Sequence, residues 1–229
     1  MDGILLVDKP EGITSTEAVR RTKKTLKANK TGHAGTLDPF ASGLLICCIN
    51  KATKLFDMFQ GVSKTYRGTL WLGVRTDTQD PEGAVVARAD VPAFAKYEIE
   101  KVFNRFVGVI EQVPPMFSAL KHRGVPLYKL ARLGQGVVKP PRKVKIDSLD
   151  ILRIDLPQVE FEVCCSKGTY VRALASDIGD SLGCGGHLSK LRRLACGQYV
   201  VEAAVKADDL TPDNVEFIRE KIIPMSEFV

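Results

Sequence analysis

Residues 146–182 read IDSLDILRIDLPQVEFEVCCSKGTYVRALASDIGDSL, and the period of the apolar residues changes within that stretch. Over 146–154 and again over 159–165 apolar and polar residues alternate, with Val159, Phe161, Val163 and Cys165 on one side. That is the two-residue period of strands with one buried face. Over 169–182 the apolar stripe becomes Val171, Leu174, Ala175, Ile178 and Leu182, the spacing of an amphipathic helix. Two strands in succession ahead of a helix break a strict strand-helix alternation and put the chain in the α+β class.

The flanking sequence extends this pattern. A strand is predicted over 3–7, and Thr14 and Glu17 have the spacing of a capping box opening a helix. That helix leads into a basic run, Arg20, Arg21, Lys23, Lys24, Lys27 and Lys30, with no acid between residues 20 and 30, which points to phosphate contact. Residues 30–44, KTGHAGTLDPFASGL, read as a structured loop because Gly35 and Pro39 punctuate them. A strand over 64–74 and a helix over 97–107 follow, the latter from Ile99, Val102, Phe103 and Phe106. Residues 112–145 form a basic insertion bounded by prolines, with a short helical stretch near 127–133, and have the character of a binding element. After Cys184, Gly185 and Gly186 the sequence predicts a basic turn, SKLRR, then a strand over 198–201 and a short helical tail.

Composition narrows the function classes. With 229 residues, 45% hydrophobic and 26% charged, and no low-complexity tract, the chain has the make-up of a globular domain rather than a disordered or fibrous protein. The longest near-continuous apolar run, 44–49, falls far short of the roughly 20 residues that span a bilayer, and residues 1–10 lack a signal-peptide pattern. A soluble cytoplasmic protein with no membrane association is expected. A net charge of +6 favours polyanionic partners such as nucleic acid. The six cysteines include two adjacent pairs and no C-x-x-C spacing, so no metal site is expected and the thiols read as reduced.

Asp38 is a lone carboxylate between Arg20 and Phe56, with His33 and Lys30 near it in sequence. A pair of carboxylates would suit glycoside hydrolysis; a single one in a basic setting suits a nucleophile kept ionised by a cation, although Asp before Pro is also an ordinary turn former. Tyr170 and Arg172 fall at a strand-to-helix junction, where either a functional or an ordinary surface role is open. Tyr66 is either half-buried packing or a stacking platform for a base, and His33 either a loop hydrogen-bonder or a base contact.

Five ordered blocks then combine: GILLVDKPEGITS (3–15), GHAGTLDPFASGLL (32–45), SKTYRGTLWLGVRTDTQDPEG (63–83), QVPPMFSALKHRGVPLY (112–128) and CSKGTYVRALASDIGDSLGCGGHLSKLRRL (165–194). Over roughly residues 3–210 the chain resembles the TruB-type tRNA pseudouridine synthases. The resemblance implies a pseudouridine synthase fold, a mixed, mostly antiparallel sheet flanked by helices, with a thumb-like basic insertion and the active site in a central cleft. It implies one catalytic domain over 1–229, without a complete C-terminal PUA domain, which members commonly carry.

The resemblance further implies Asp38 as the catalytic aspartate and His33 as an RNA contact near a flipped target base. Tyr66 stacks on that base and is a candidate for the later proton transfer. Tyr170 binds substrate, Arg172 pairs with the catalytic carboxylate, and Leu191 is an apolar substrate contact. Lys9 and Pro10 are structural, beside the active-site loop. The implied reaction is isomerisation of uridine 55 in the tRNA T loop, with no cofactor, by a monomer that needs the T-arm stem-loop and no obligatory protein partner. Two alternatives stand beside it: a non-catalytic tRNA-binding or folding module, and the catalytic subunit of an RNA-guided pseudouridylation particle.

Overall fold

The computed structural model describes residues 1–137 and 139–228; the insertion expected over 112–145 and the domain expected over 1–229 each include a residue outside that range. The chain forms two compact units, Met1–Tyr66 with Leu191–Val229, and Arg67–Lys190.

The first unit opens with β1 (Gly3–Lys9), α1 (Ser15–Leu26), β2 (Thr31–Ala34), β3 (Ser42–Ile49) and α2 (Phe56–Gly61). The apolar runs of β1 and β3 do not alternate because both faces are covered. Leu5, Val7, Leu45 and Cys47 pack with Ala18 and Leu26 of α1, while Ile4, Leu6, Leu44, Ile46 and Cys48 pack with Ala52 and Phe59 on the other side. Each Leu, Ile, Val or Phe side chain among these, taken fully out of water, contributes about 1.5–3 kcal/mol. β1 runs antiparallel to β3, from Gly3 opposite Ile49 to Lys9 opposite Gly43.

Helix α1 begins where the sequence places it. The Thr14 side chain accepts a hydrogen bond from the Glu17 N–H at 3.1 Å, and the helix ends at Lys27 in the left-handed region, φ 48°. Its cations differ from expectation. Glu17 pairs with Arg20 at 2.8 Å and with Arg21 at 3.3 Å, and Arg21 also reaches Asp208 at 2.9 Å. Carboxylates outside the 20–30 window therefore take up two of the charges, leaving Lys23, Lys24, Lys27 and Lys30 exposed. The expected loop over 30–44 is also partly strand: β2 pairs antiparallel with β3, Thr31 opposite Ile49 and Ala34 opposite Ile46.

Strand β4 (Lys64–Leu72) carries the chain into the second unit, followed by the hairpin β5 (Val74–Thr76) and β6 (Val85–Arg88), then α3 (Lys96–Asn104) and β7 (Gly108–Gln112). The insertion holds a two-residue hairpin, β8 (Lys121–His122) and β9 (Val125–Pro126), and α4 (Leu127–Arg132). It returns into β10 (Arg142–Asp155), after which come β11 (Gln158–Cys165) and α5 (Val171–Ser181). β10 pairs antiparallel with β7 on one side and with β11 on the other, and the register sets Gln112 opposite Arg142. The insertion thus leaves and re-enters the sheet at one paired position. Phe103 of α3 meets Phe161 of β11 edge to face at 6.0 Å, and α5 buries Val171, Leu174, Ala175 and Ile178 of the stripe read from its sequence, while Leu182, its C-cap residue, is half-buried.

The chain then passes through β12 (Gly186–Cys196) into the first unit, where β13 (Tyr199–Val200), β14 (Val205–Lys206), α6 (Val215–Glu220) and β15 (Ile223–Pro224) follow. SKLRR is therefore not a turn but part of the eleven-residue strand β12, and the strand expected over 198–201 shrinks to two residues. β12 and β14 supply parallel pairings, to β3 and β1, beside the antiparallel pairings of β1 with β3 and β15, of β2 with β3 and of β12 with β13. The α+β reading holds, with mixed, mostly antiparallel sheet and flanking helices. Among the described residues no helix is long and apolar enough to cross a membrane.

Candidate active site

Asp38 sits on the short loop between β2 and β3, and its two chain neighbours are fixed. The Ser15 hydroxyl, at the first residue of α1, donates to the Leu37 carbonyl and accepts from the Leu37 N–H, both at 2.9 Å. The Pro39 carbonyl accepts from the Gly12 N–H at 2.9 Å and from the Lys9 ammonium at 3.3 Å. Lys9 is wholly buried, and its Nζ also donates to the Pro10 and Ile13 carbonyls, each at 2.8 Å. A buried ammonium is tolerated only when its donors are occupied, so Lys9 binds the 10–13 turn to the Asp38 loop. This matches the structural role that the resemblance implies for it. The Asp38 carbonyl closes the turn by accepting from the Ala41 N–H at 3.1 Å. A half-buried carboxyl group thus rests on a backbone secured immediately before and after it.

A second support comes from β12. Arg193, only 1% exposed, donates from Nε to the Leu44 carbonyl at 2.6 Å and from Nη2 to the Gly35 carbonyl at 3.1 Å, so it grips both ends of the loop. Its backbone is in parallel register with Gly43, whose φ is 104° and where a Cβ would lie 2.2 Å from the Arg193 oxygen. Only glycine meets both demands. Next to it, Arg192 pairs with Asp8 through two contacts, 3.0 and 2.7 Å.

His33 lies on β2 opposite Cys47. Burial, reinforced by the Arg193 charge, holds its imidazole below the usual histidine pKa, and its Nδ1 has no hydrogen-bond partner among the described residues. The imidazole is therefore kept neutral, with a buried Nδ1 left unpaired. The adjacent thiols are not competing nucleophiles: burial pushes Cys47 up to about 12 and Cys48 up to about 11.

In the second unit, Tyr170 is the N-cap residue of α5 and Arg172 lies in its first turn. Arg172 is buried; its Nη1 donates to the Thr78 carbonyl at 2.6 Å and its Nη2 to the Phe117 carbonyl at 2.8 Å, and Asp80 approaches it at 3.5 Å. Asp80 is itself the centre of the 76–84 turn, accepting from the Thr78 hydroxyl at 2.5 Å and from the Glu82 N–H at 3.0 Å.

The sequence candidates therefore fall into groups. His33 and Asp38 share one secured segment, Leu191 is buried on β12 two residues before Arg193, and Tyr66 is half-buried on β4. Tyr170 and Arg172 share one helix start. Sequence reasoning passed over Ser15, Arg193, Asp80 and Gln112, although each lies within one of the five quoted blocks.

Comparison with known proteins gives a consistent picture. Residues 23–171 match the TruB family pseudouridylate synthase (N terminal domain), and residues 172–229 match the tRNA pseudouridylate synthase B C-terminal domain. The chain is 50% identical over 212 residues to a tRNA pseudouridine synthase B of Bordetella avium, covering 92% of this chain and 87% of the relative. It is 47% identical over 210 residues to the protein of the same name from Geobacter sulfurreducens, covering 92% and 69%. Among solved structures, a chain of the archaeal box H/ACA sRNP Nop10-Cbf5 complex superposes with a TM-score of 0.73 at 30% identity, over 98% of this chain and 60% of that one.

Proposed function

The chain belongs to the TruB family of pseudouridylate synthases, and from that premise we propose that it isomerises uridine to pseudouridine at position 55, in the T loop of tRNA, with Asp38 as the nucleophile. The observation that carries the reading is the Asp38 loop: a carboxylate whose neighbours Leu37 and Pro39 are both held by buried polar groups. Such fixing puts a reacting group in place before substrate arrives.

The reaction breaks the N1–C1′ bond, turns the uracil while it is held, and forms a C5–C1′ bond; C5 gives up its proton and N1 gains one. Nothing is oxidised or reduced and no outside group is transferred, so no cofactor enters the balance. The Asp38 carboxylate either attacks C1′ or removes a proton from C2′ to give a glycal. A base stacked in a folded T loop is out of reach, so the nucleotide is flipped outward. Tyr66 then stacks on the base and serves the C5 proton transfer, Tyr66 and Leu191 bracket the nucleotide, Tyr170 binds substrate, and neutral His33 contacts RNA. Arg172 is assigned to the nucleophile's charge on the strength of the family resemblance. The exposed cations of the insertion, Lys121, Arg123, Lys129 and Arg132, provide phosphate contacts that recognise the shape of the T arm.

The experiment is to incubate the protein alone with an unmodified tRNA transcript and map pseudouridine by carbodiimide treatment and primer extension. Wild type should modify the T-loop uridine. Asp38→Asn should leave it unmodified while tRNA affinity stays within about three-fold, since the charge serves bond-making and the grip lies elsewhere. Full activity in Asp38→Asn would overturn the assignment. A second reading, a subunit of an RNA-guided particle, draws on the likeness to the archaeal sRNP protein. It requires that the chain alone be inactive and that activity return with a guide RNA and partner proteins.

A further inference from the structure

We propose that Gln112 is a positioning residue for this reaction: its side-chain amide sets the backbone of Tyr170, and so aims the start of the helix that carries Arg172. The inference rests on the function proposed above.

Gln112 is the last residue of β7 and is 1% exposed. Its Oε1 accepts from the Tyr170 N–H at 2.7 Å and its Nε2 donates to the Tyr170 carbonyl at 3.0 Å. One primary amide thus mates with both main-chain groups of a single residue, as a strand neighbour would. Tyr170 is the N-cap residue of α5, and its carbonyl also accepts the first helical bond, from the Leu174 N–H at 3.1 Å. In an ordinary capping box the third helical residue reaches back to the N-cap N–H. Here that residue is Ala173, which has nothing to reach with, and the N-cap makes no side-chain bond of its own. Gln112, 58 residues away in sequence, does the work instead.

The same contact ties the helix start to the insertion. Gln112 is its first foot and Arg142, opposite it in register, is its second. Arg142 lies over the Tyr170 ring, 4.9 Å from its centroid, and its Nη2 donates to the Gly168 carbonyl. From within the insertion, the Phe117 carbonyl accepts from Arg172. Both feet and one inner residue of the element expected to grip RNA therefore bear on Tyr170 and Arg172. A shift of the insertion is passed to the helix start through Gln112, because a doubly bonded amide cannot slide without breaking one of its bonds.

The test compares wild type, Gln112→Met and Gln112→Glu with an unmodified tRNA transcript, reading single-turnover rate, tRNA dissociation constant and melting temperature. Methionine matches the length and volume of glutamine and removes both bonds; glutamate keeps the acceptor for the Tyr170 N–H. A misaimed helix start should lower the Gln112→Met rate by about ten- to a hundred-fold with affinity within about three-fold, and Gln112→Glu should recover part of the rate. Wild-type turnover with Gln112→Met within about two-fold of it overturns this inference and leaves the function standing. So does an equal loss of rate, affinity and melting temperature with no recovery in Gln112→Glu, which would mark a purely structural role. A wild-type protein that leaves tRNA unmodified overturns the function and the inference with it.

Discussion

The Ser15 hydroxyl both donates to the carbonyl and accepts from the N–H of Leu37, at 2.9 Å in each direction. The pair is buried, so Ser15→Ala leaves a carbonyl and an N–H without partners where water does not replace them. The expected cost is about 1–3 kcal/mol, seen as a melting temperature lower by several degrees. Because the freed residue immediately precedes Asp38, the single-turnover rate should fall by about ten-fold or more while tRNA affinity holds. An unchanged rate in a destabilised protein would show that the loop keeps Asp38 in place without this bond.

Gly43→Ala tests the second support. The substitution adds a Cβ 2.2 Å from the Arg193 oxygen and 2.6 Å from its nitrogen, at a φ of 104°. Neither backbone can yield without breaking the β3–β12 pairing, so about 3 kcal/mol or more should be lost. The measurement is thermal unfolding; a melting temperature within a degree or two of wild type would mean that β12 moves aside.

These two positions show where the sequence was informative and where it was not. Helix α1 is legible because its start is encoded locally, by Thr14 and Glu17 three residues apart. The Asp38 loop is legible as a loop through Gly35 and Pro39, yet β2 inside the same stretch is not: TGHA has no alternation of its own, and its strand character comes from pairing with β3. SKLRR looked like a turn because charge normally marks solvent. Arg193 is buried nonetheless, since the carbonyls of Leu44 and Gly35 replace water around its guanidinium. The partners of Ser15 and Gln112 lie 22 and 58 residues away, and no local pattern encodes a bond over that distance. Asp38, Tyr170 and Arg172 were readable only as members of ordered blocks; taken singly, each had an ordinary structural explanation.

Arg172→Lys preserves charge and loses geometry. The guanidinium spans two carbonyls, Thr78 at 2.6 Å and Phe117 at 2.8 Å, with Asp80 at 3.5 Å. A lysine ammonium is a point donor and cannot hold the same directions from the same stem. The 76–84 turn and the insertion lose their common tie, and turnover should fall by about a hundred-fold, with affinity for tRNA reduced less than five-fold, about 1 kcal/mol. Near-normal turnover would show that charge alone suffices at this position.

Asp177 on α5 offers a test in which pH decides the outcome. Burial, with the nearby Asp180 carboxylate adding to it, raises its pKa from 3.8 to about 6. The folded state therefore holds this proton more tightly than the unfolded chain does. Its stabilising contribution is full below the unfolded value and is lost as pH rises through about 6. At neutral pH the protein carries an ionised carboxylate that its surroundings disfavour, whereas asparagine keeps the shape without the charge. Asp177→Asn should raise the melting temperature at about pH 7, with the gain shrinking at about pH 4.5 as the wild-type group becomes protonated. The measurement is a pair of thermal unfolding series across that range. A gain of the same size at both ends would trace to packing of the amide, and a loss at neutral pH would mean that Asp177 makes a contact that needs its charge.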